Sequence, residues 1–193
     1  MEKKKRFLLI ETLFALTASY HTVIGLNTAP LPQAISKGIP ILILLAGVLT
    51  APKPEIRIVL ALIFSYLGDM SSELIMDNDF PFLSQMFFFS CAQLFYILEF
   101  SRSEKAEGKN FSFVPFFMVP YAGLLLGMVG CACFCKRGRS RKRILGALLF
   151  LLSDSLILVR MLSNGFPLDN QLVIATYYFA QWCLCLPHMQ SRS

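Results

Sequence analysis

The sequence has little charge, and this absence already restricts its class. Only 16% of its 193 residues are charged, compared with about 25% in soluble domains, whereas 55% are hydrophobic and the mean hydropathy is +0.60. This composition excludes an ordinary soluble domain and indicates a membrane protein. The length allows about six to eight spans of roughly 20 residues with short connections, and it leaves no room for a separate soluble domain.

The chain also lacks the motifs of common hydrolases and zinc proteins. No Ser-His-Asp order, nucleophile elbow, phosphate-binding loop or H-E-x-x-H motif occurs, which argues against a serine esterase. The six cysteines lack the C-x2-C spacing that is common in zinc sites, so we expect no metal. They are interpreted as apolar helix residues, and the three within residues 131–135 are also candidates for acylation.

Positive charges gather in blocks between apolar runs, the densest at residues 3–6 and at Lys136 to Arg143. In a soluble protein the net charge of +6 would suggest nucleic-acid binding. Blocks that flank apolar runs are instead typical of cytoplasmic segments that bind anionic lipid headgroups. We therefore expect membrane lipids as partners of these blocks and no nucleic acid. The apolar run after the first block continues to about Leu26, which favours an uncleaved first helix over a signal peptide.

Apolar runs bounded by charge, proline or glycine predict an all-α, polytopic transmembrane bundle that forms a single domain over residues 1–193. The seven predicted segments are residues 7–26, 38–51, 56–76, 81–100, 111–135, 144–163 and 170–187.

The basic blocks test this count, because Lys and Arg beside spans prefer the cytoplasm. If the N-terminus is inside, alternation agrees with the charges up to Lys109. A single crossing by residues 111–135 would then place the densest basic block outside. These 25 residues are too few for two full spans across about 30 Å at about 1.5 Å per residue. A re-entrant or half-depth hairpin would keep both termini and the basic loops in the cytoplasm.

Carboxylates at membrane depth are the candidates for function, because each costs at least about 2.5 to 3.5 kcal/mol and therefore usually faces a polar cavity or a partner. Asp69 and Asp154 lie in the middle third of their predicted helices. Ser65 and Glu73 lie one turn before and after Asp69 on the same helix face, and Ser153 precedes Asp154.

The fourth and last predicted helices supply further polar residues for a shared pocket. These are Gln85, Ser90, Gln93, Tyr96, Thr176, Tyr177, Tyr178 and Gln181. In one such pocket, burial and mutual repulsion would keep one carboxyl protonated near neutral pH while the other is ionised, so that one acts as an acid and the other as a base. The alternative is that the aspartates only join helices through hydrogen bonds, that the tyrosines pack or lie at the interface, and that Arg160 snorkels to the membrane surface.

Four motifs carry a resemblance to a known family. They are Ser65-Tyr66-Leu67-Gly68-Asp69, Ala92-Gln93-Leu94-Phe95-Tyr96-Ile97, the run from Gly146 to Ser155, and Thr176-Tyr177-Tyr178-Phe179-Ala180-Gln181. In this order and spacing they resemble the YhhN family of membrane proteins, whose vertebrate relatives are lysoplasmalogenases. The resemblance extends from about Ser36 to Gln181.

The resemblance implies a membrane hydrolase that cleaves the vinyl-ether bond of lysoplasmalogens into a fatty aldehyde and a glycerophospho-base without a cofactor. It implies Asp69 and Asp154 as the catalytic pair. The predicted substrate-binding residues combine the polar residues named above with those that the resemblance implies. They are Ser65, Glu73, Gln93, Tyr96, Ser153, Tyr177, Gln181 and, for the headgroup phosphate, Lys37. A non-catalytic lipid-binding or lipid-transporting protein and a purely structural membrane protein are the alternatives.

Three features depart from the family pattern. Gln93 stands where the family usually has histidine, which removes a titratable group. Lys37-Gly38 stands where Lys-Pro is frequent. The family has eight spans, whereas residues 111–143 of this chain contain one predicted helix fewer.

Overall fold

The computed structural model describes residues 2–74, 80–105, 121–135, 140–163 and 167–190. Within these ranges the chain forms seven α-helices and one turn of 3₁₀ helix at Gly25–Asn27. The helices are α1 (Glu2–Val23), α2 (Pro30–Leu49), α3 (Ile56–Leu74), α4 (Phe80–Lys105), α5 (Tyr121–Phe134), α6 (Arg141–Ser163) and α7 (Asp169–Met189). The predicted all-α membrane bundle is confirmed.

Several of these helices have the length and composition of membrane spans. Among the described residues, Lys4–Asn27, Pro30–Leu49 and Leu83–Ser101 meet both criteria, and Tyr121–Phe134 is equally apolar but shorter. After its basic first turns, the outer surface of α1 is mainly apolar, with Leu8 63%, Leu16 63% and Val23 70% exposed. An apolar surface of this kind is suited to lipid and not to water. The protein is therefore a multi-pass integral membrane protein.

Helix α2 begins well before the predicted residue 38. Pro30 occupies its first turn, where the fixed φ of proline suits a helix and no N–H is needed. The apolar-run criterion missed this part because Gln33, Ser36 and Lys37 interrupt the apolar pattern. The structure turns Ser36 and Lys37 into the bundle, where both are buried. A polar helix segment with buried side chains is a first indication of a polar interior at this end of the protein.

Sequential helices pack side by side, and α7 closes the bundle against α1 and α2. Helices α6 and α7 approach each other closely at Gly146, where a Cβ would stand 3.0 Å from the carbonyl oxygen of Ala180. In the centre, the rings of Phe89, Phe150 and Tyr177 contact one another edge to face, with centroids 5.6 to 6.1 Å apart. These contacts fix α4, α6 and α7 around the region that holds the aspartates.

Helix α5 runs in the same direction as α4, which precedes it in the chain. At its beginning, Tyr121 lies beside Gln93 in the middle of α4. After its end, Cys135 lies near Arg143. The guanidinium carbon of Arg143 stands 4.5 Å from the centre of the Phe100 ring, farther along α4. Two consecutive helices that each cross the membrane once would run in opposite directions.

This direction agrees with the predicted hairpin, in which α5 is the returning limb. At about 1.5 Å per residue, its 14 residues extend about 21 Å, which is less than the thickness of about 30 Å of the hydrocarbon core. The other limb would lie in residues 111–120, which are outside the described residues, and it stays a prediction.

Topology reporters test the hairpin. A reporter after Asn110 and another between Arg137 and Lys142 should be found on the same side of the membrane, because a hairpin crosses an even number of times. A reporter in the connection at Asn27–Thr28 should be found on the opposite side and serves as the control. Recovery of the first two reporters on opposite sides would exclude the hairpin.

Candidate active site

Asp69 lies in the last third of α3 and is one of the most deeply buried carboxyl groups in the described chain, with 1% of its surface exposed. The hydroxyl of Tyr177 on α7 donates a hydrogen bond of 2.8 Å to Asp69 Oδ2. The Tyr177 ring is itself held between Phe89 and Phe150. This aromatic packing sets the direction of the hydroxyl, so the position of Asp69 depends on α4, α6 and α7 as well as on α3.

Asp154 on α6 has an equivalent partner on α5. The hydroxyl of Tyr121 donates a hydrogen bond to Asp154 Oδ2. The buried amide of Gln93 lies beside the same hydroxyl, but neither its oxygen nor its nitrogen makes a hydrogen bond of ordinary geometry among the described residues. Both aspartates thus accept a bond from a tyrosine, and Gln93 is linked to Asp154 only through Tyr121.

A polar cavity of about 410 Å³ brings the two aspartates together. It lies between the ends of α2, α3, α6 and α7, beside the connection from α1 to α2, with α4 forming one wall. Its lining residues are Leu26, Gln33, Lys37, Asp69, Ser72, Gln85, Phe89, Ser153, Asp154, Ile157, Arg160, Asn170, Val173, Ile174 and Tyr177. Two carboxyls and two cationic side chains therefore share one chamber within the membrane protein.

A second, mostly apolar cavity of about 460 Å³ lies between α4, α5 and α6. The residues that line both cavities are Asp154, Gln85, Phe89 and Ile157, so Asp154 belongs to the wall that the polar and apolar chambers share. On the outer side, the lining residues Leu126 and Leu158 are 60% and 57% exposed. Because this surface faces lipid, the apolar cavity lies directly beside the bilayer.

Several predicted site residues lie in the polar cavity. The Lys37 ammonium donates a hydrogen bond of 2.6 Å to Ser72 Oγ, and Ser72 in turn donates to the carbonyl oxygen of Asp69 at 2.9 Å. Ser153 lines the cavity and donates to the carbonyl oxygen of Val173 at 2.9 Å. The side chain of Glu73, the remaining predicted residue of this helix face, lies outside the described residues.

Three other predicted residues form a separate network. Tyr96 donates a hydrogen bond of 2.6 Å to Gln181 Oε1, and Gln181 Nε2 donates one of 2.9 Å to Ser65 Oγ. All three side chains are fully buried, and none lines either cavity. The network joins α3, α4 and α7. Substrate binding by these residues, and by Gln93, stays a prediction.

Two residues of the site were not identified from the sequence. Tyr121 lies in the segment whose crossing was ambiguous, so nothing placed it beside Asp154. Arg160 was interpreted as a snorkelling residue, but it lines the polar cavity and its Nη1 donates to the side-chain oxygen of Asn170. An available signal was the spacing of Ser153 and Arg160, which stand seven residues or about two helical turns apart and therefore lie on the same side of α6.

The fold and the cavities define a multi-pass helical membrane protein with an intramembrane polar chamber that holds two carboxyls. The chain belongs to the YhhN family, whose sequence model matches residues 32–129 and 112–187. The two matched segments overlap at residues 112–129, within the stretch that has one predicted helix fewer than the family. No curated protein and no solved structure matches the chain.

Proposed function

We propose that this protein hydrolyses the vinyl-ether bond of a lysoplasmalogen, with Asp69 and Asp154 as the acid and base. The observation that carries the proposal is the polar cavity, which is lined by both carboxyls and adjoins an apolar cavity that Asp154 also lines. A lysoplasmalogen has a polar headgroup and one hydrocarbon chain, and its vinyl ether lies where the two parts meet. Membership of the YhhN family, which includes lysoplasmalogenases, supports the same substrate class.

The position of Asp154 favours it as the proton donor. Acid hydrolysis of an enol ether begins with proton transfer to the β-carbon, which is the vinyl carbon farther from the ether oxygen and nearer to the hydrocarbon chain. Asp154 lines the apolar cavity, where that chain would lie, whereas Asp69 lines only the polar cavity. Asp69 is therefore placed to accept a proton from a water molecule on the headgroup side.

The two carboxyls exchange protons with the substrate and with water in four steps. Asp154 gives its proton to the β-carbon, and the ether becomes an oxocarbenium ion that the two carboxylates stabilise. Water adds to the cationic carbon and Asp69 takes the released proton, which gives a hemiacetal. Asp69 returns a proton to the glycerol oxygen as its bond to carbon breaks, while Asp154 takes the hydroxyl proton. The products are a fatty aldehyde and a glycerophospho-base, and both carboxyls regain their first state.

Hydrolysis in D₂O tests this reaction. Purified protein in nanodiscs should release aldehyde from a 1-alkenyl lysophospholipid, and each aldehyde should carry one deuterium on the carbon next to the carbonyl. The 1-alkyl ether of the same chain length has no double bond and should release nothing. Mass spectrometry of trapped aldehyde measures both results.

The lipid-binding or transport alternative makes a different prediction. It has support in the tyrosine partners of both aspartates, since such bonds also hold helices together. If the alkenyl lipid binds to folded protein but is recovered intact, hydrolysis is excluded for this substrate. Aldehyde without deuterium next to the carbonyl would contradict protonation of the β-carbon.

A further inference from the structure

Among the described residues that line the polar cavity, Arg160 alone has a guanidinium group. It lies near the end of α6 and lines the cavity beside Asn170, the second residue of α7. Its Nη1 donates to the Asn170 side-chain oxygen, a neutral acceptor. A guanidinium group has five N–H donors in a planar fork, a shape that matches two oxygens of a phosphate. The contact with Asn170 holds the fork in place and leaves donors for a ligand.

The charge of the cavity favours an anion of charge minus one. Among the described residues, its lining contains two cations, Lys37 and Arg160, and two aspartates. The proposed hydrolysis starts with one carboxyl protonated, and in that state the four charged side chains sum to one positive charge. A phosphodiester has one negative charge over its two free oxygens. It would neutralise the chamber, whereas an uncharged headgroup would leave a buried excess of positive charge.

We propose that Arg160 binds the phosphodiester of a single-chain phospholipid in the polar cavity, with the hydrocarbon chain passing Asp154 into the apolar cavity. This assignment rests on the proposed function and adds its headgroup requirement. Arg160 lines only the polar cavity, Asp154 lines both cavities, and Leu151 and Leu158 line only the apolar cavity. This division matches the phosphate, the first bond of the chain and the hydrocarbon tail of a lysophospholipid. Arg160 is thus a specificity-determining residue that selects phospholipids over neutral ether lipids.

Binding of uncleavable lipids tests the assignment without requiring catalysis. Two ligands of equal chain length are compared in nanodiscs, a 1-alkyl lysophospholipid and a 1-alkylglycerol that lacks the phosphate. Wild-type protein should bind the phospholipid at least 10-fold more tightly. Arg160→Gln should weaken phospholipid binding by about 10-fold and leave alkylglycerol binding unchanged, and Arg160→Lys should fall between the two. Arg141→Gln, at the exposed opposite end of α6, is the control and should bind both ligands like wild type.

Each contrary result has a separate meaning. Equal binding of the two ligands by wild type, or an equal loss of both in Arg160→Gln, would overturn the assignment. Competition by glycerophosphocholine or inorganic phosphate as strong as that of the lipid would show a site for free phosphate compounds and would overturn the lipid part. These binding results do not depend on whether the protein is a hydrolase. If the hydrolase proposal is wrong, the alkenyl lipid would bind and release no aldehyde.

Discussion

Asp154→Asn should lower aldehyde release by about 1,000-fold, since a positioned general acid contributes about 100- to 10,000-fold and asparagine cannot donate an acidic proton. The change preserves the size of the side chain, and its amide oxygen can still accept the hydrogen bond from Tyr121. Binding of the 1-alkyl lysophospholipid should therefore remain near the wild-type value. The measurement combines initial rates of aldehyde release with a binding curve on the same preparation.

Asp69→Asn should also lose most activity, because Asp69 and Asp154 are the only carboxyls among the described residues that line the polar cavity. Asp169→Asn supplies the matched control. Asp169 lies at the start of α7 and outside both cavities, so this variant should keep wild-type activity. If Asp154→Asn retained activity while folded and lipid-bound, Asp154 would not be the proton donor. Loss of folding in both cavity variants without loss of activity per folded molecule would favour a purely structural role.

The sequence was sufficient to locate Asp69 and Asp154, because the cost of a carboxylate in a membrane makes its presence informative. It was not sufficient to identify their partners. Tyr177 was among the candidates, since it lies in a polar stretch of the last helix. Tyr121 was not, because its contact with Asp154 depends on the direction and depth of α5, which the apolar pattern of residues 111–135 does not determine.

Hydropathy also does not predict which way the side chain of Arg160 points. An arginine near the end of a span has the same sequence pattern whether it snorkels to the lipid surface or faces an internal cavity. The choice depends on which side of α6 meets its neighbours. In the structure the contact with Asn170 on α7 turns Arg160 inward. The beginning of α2 was missed for a similar reason, since Lys37 and Ser36 are polar residues whose burial depends on the other helices.

Gln181→Leu should lower the stability of the protein by about 2 kcal/mol, because the buried hydroxyls of Tyr96 and Ser65 would lose their amide partner. For a chain of this length, this corresponds to a fall in Tm of about 4 to 8 °C. Thermal unfolding in detergent measures the change. Gln190→Leu is the matched control, because Gln190 is exposed at the end of α7, and its Tm should stay within about 1 °C of wild type.

Replacement of all three network residues tests whether Gln181→Leu loses stability through unpaired hydroxyls or through a simple loss of packing. The triple variant Ser65→Ala, Tyr96→Phe and Gln181→Leu has no stranded polar group, so it should regain most of the stability that Gln181→Leu loses. A triple variant no more stable than Gln181→Leu would contradict the explanation.

The activity of the triple variant then shows whether the three residues bind substrate or only join helices. If they bind substrate, the triple variant is inactive although it is folded. If they only join α3, α4 and α7, its activity per folded molecule is close to the wild-type value, because both aspartates and the lining residues of both cavities are unchanged.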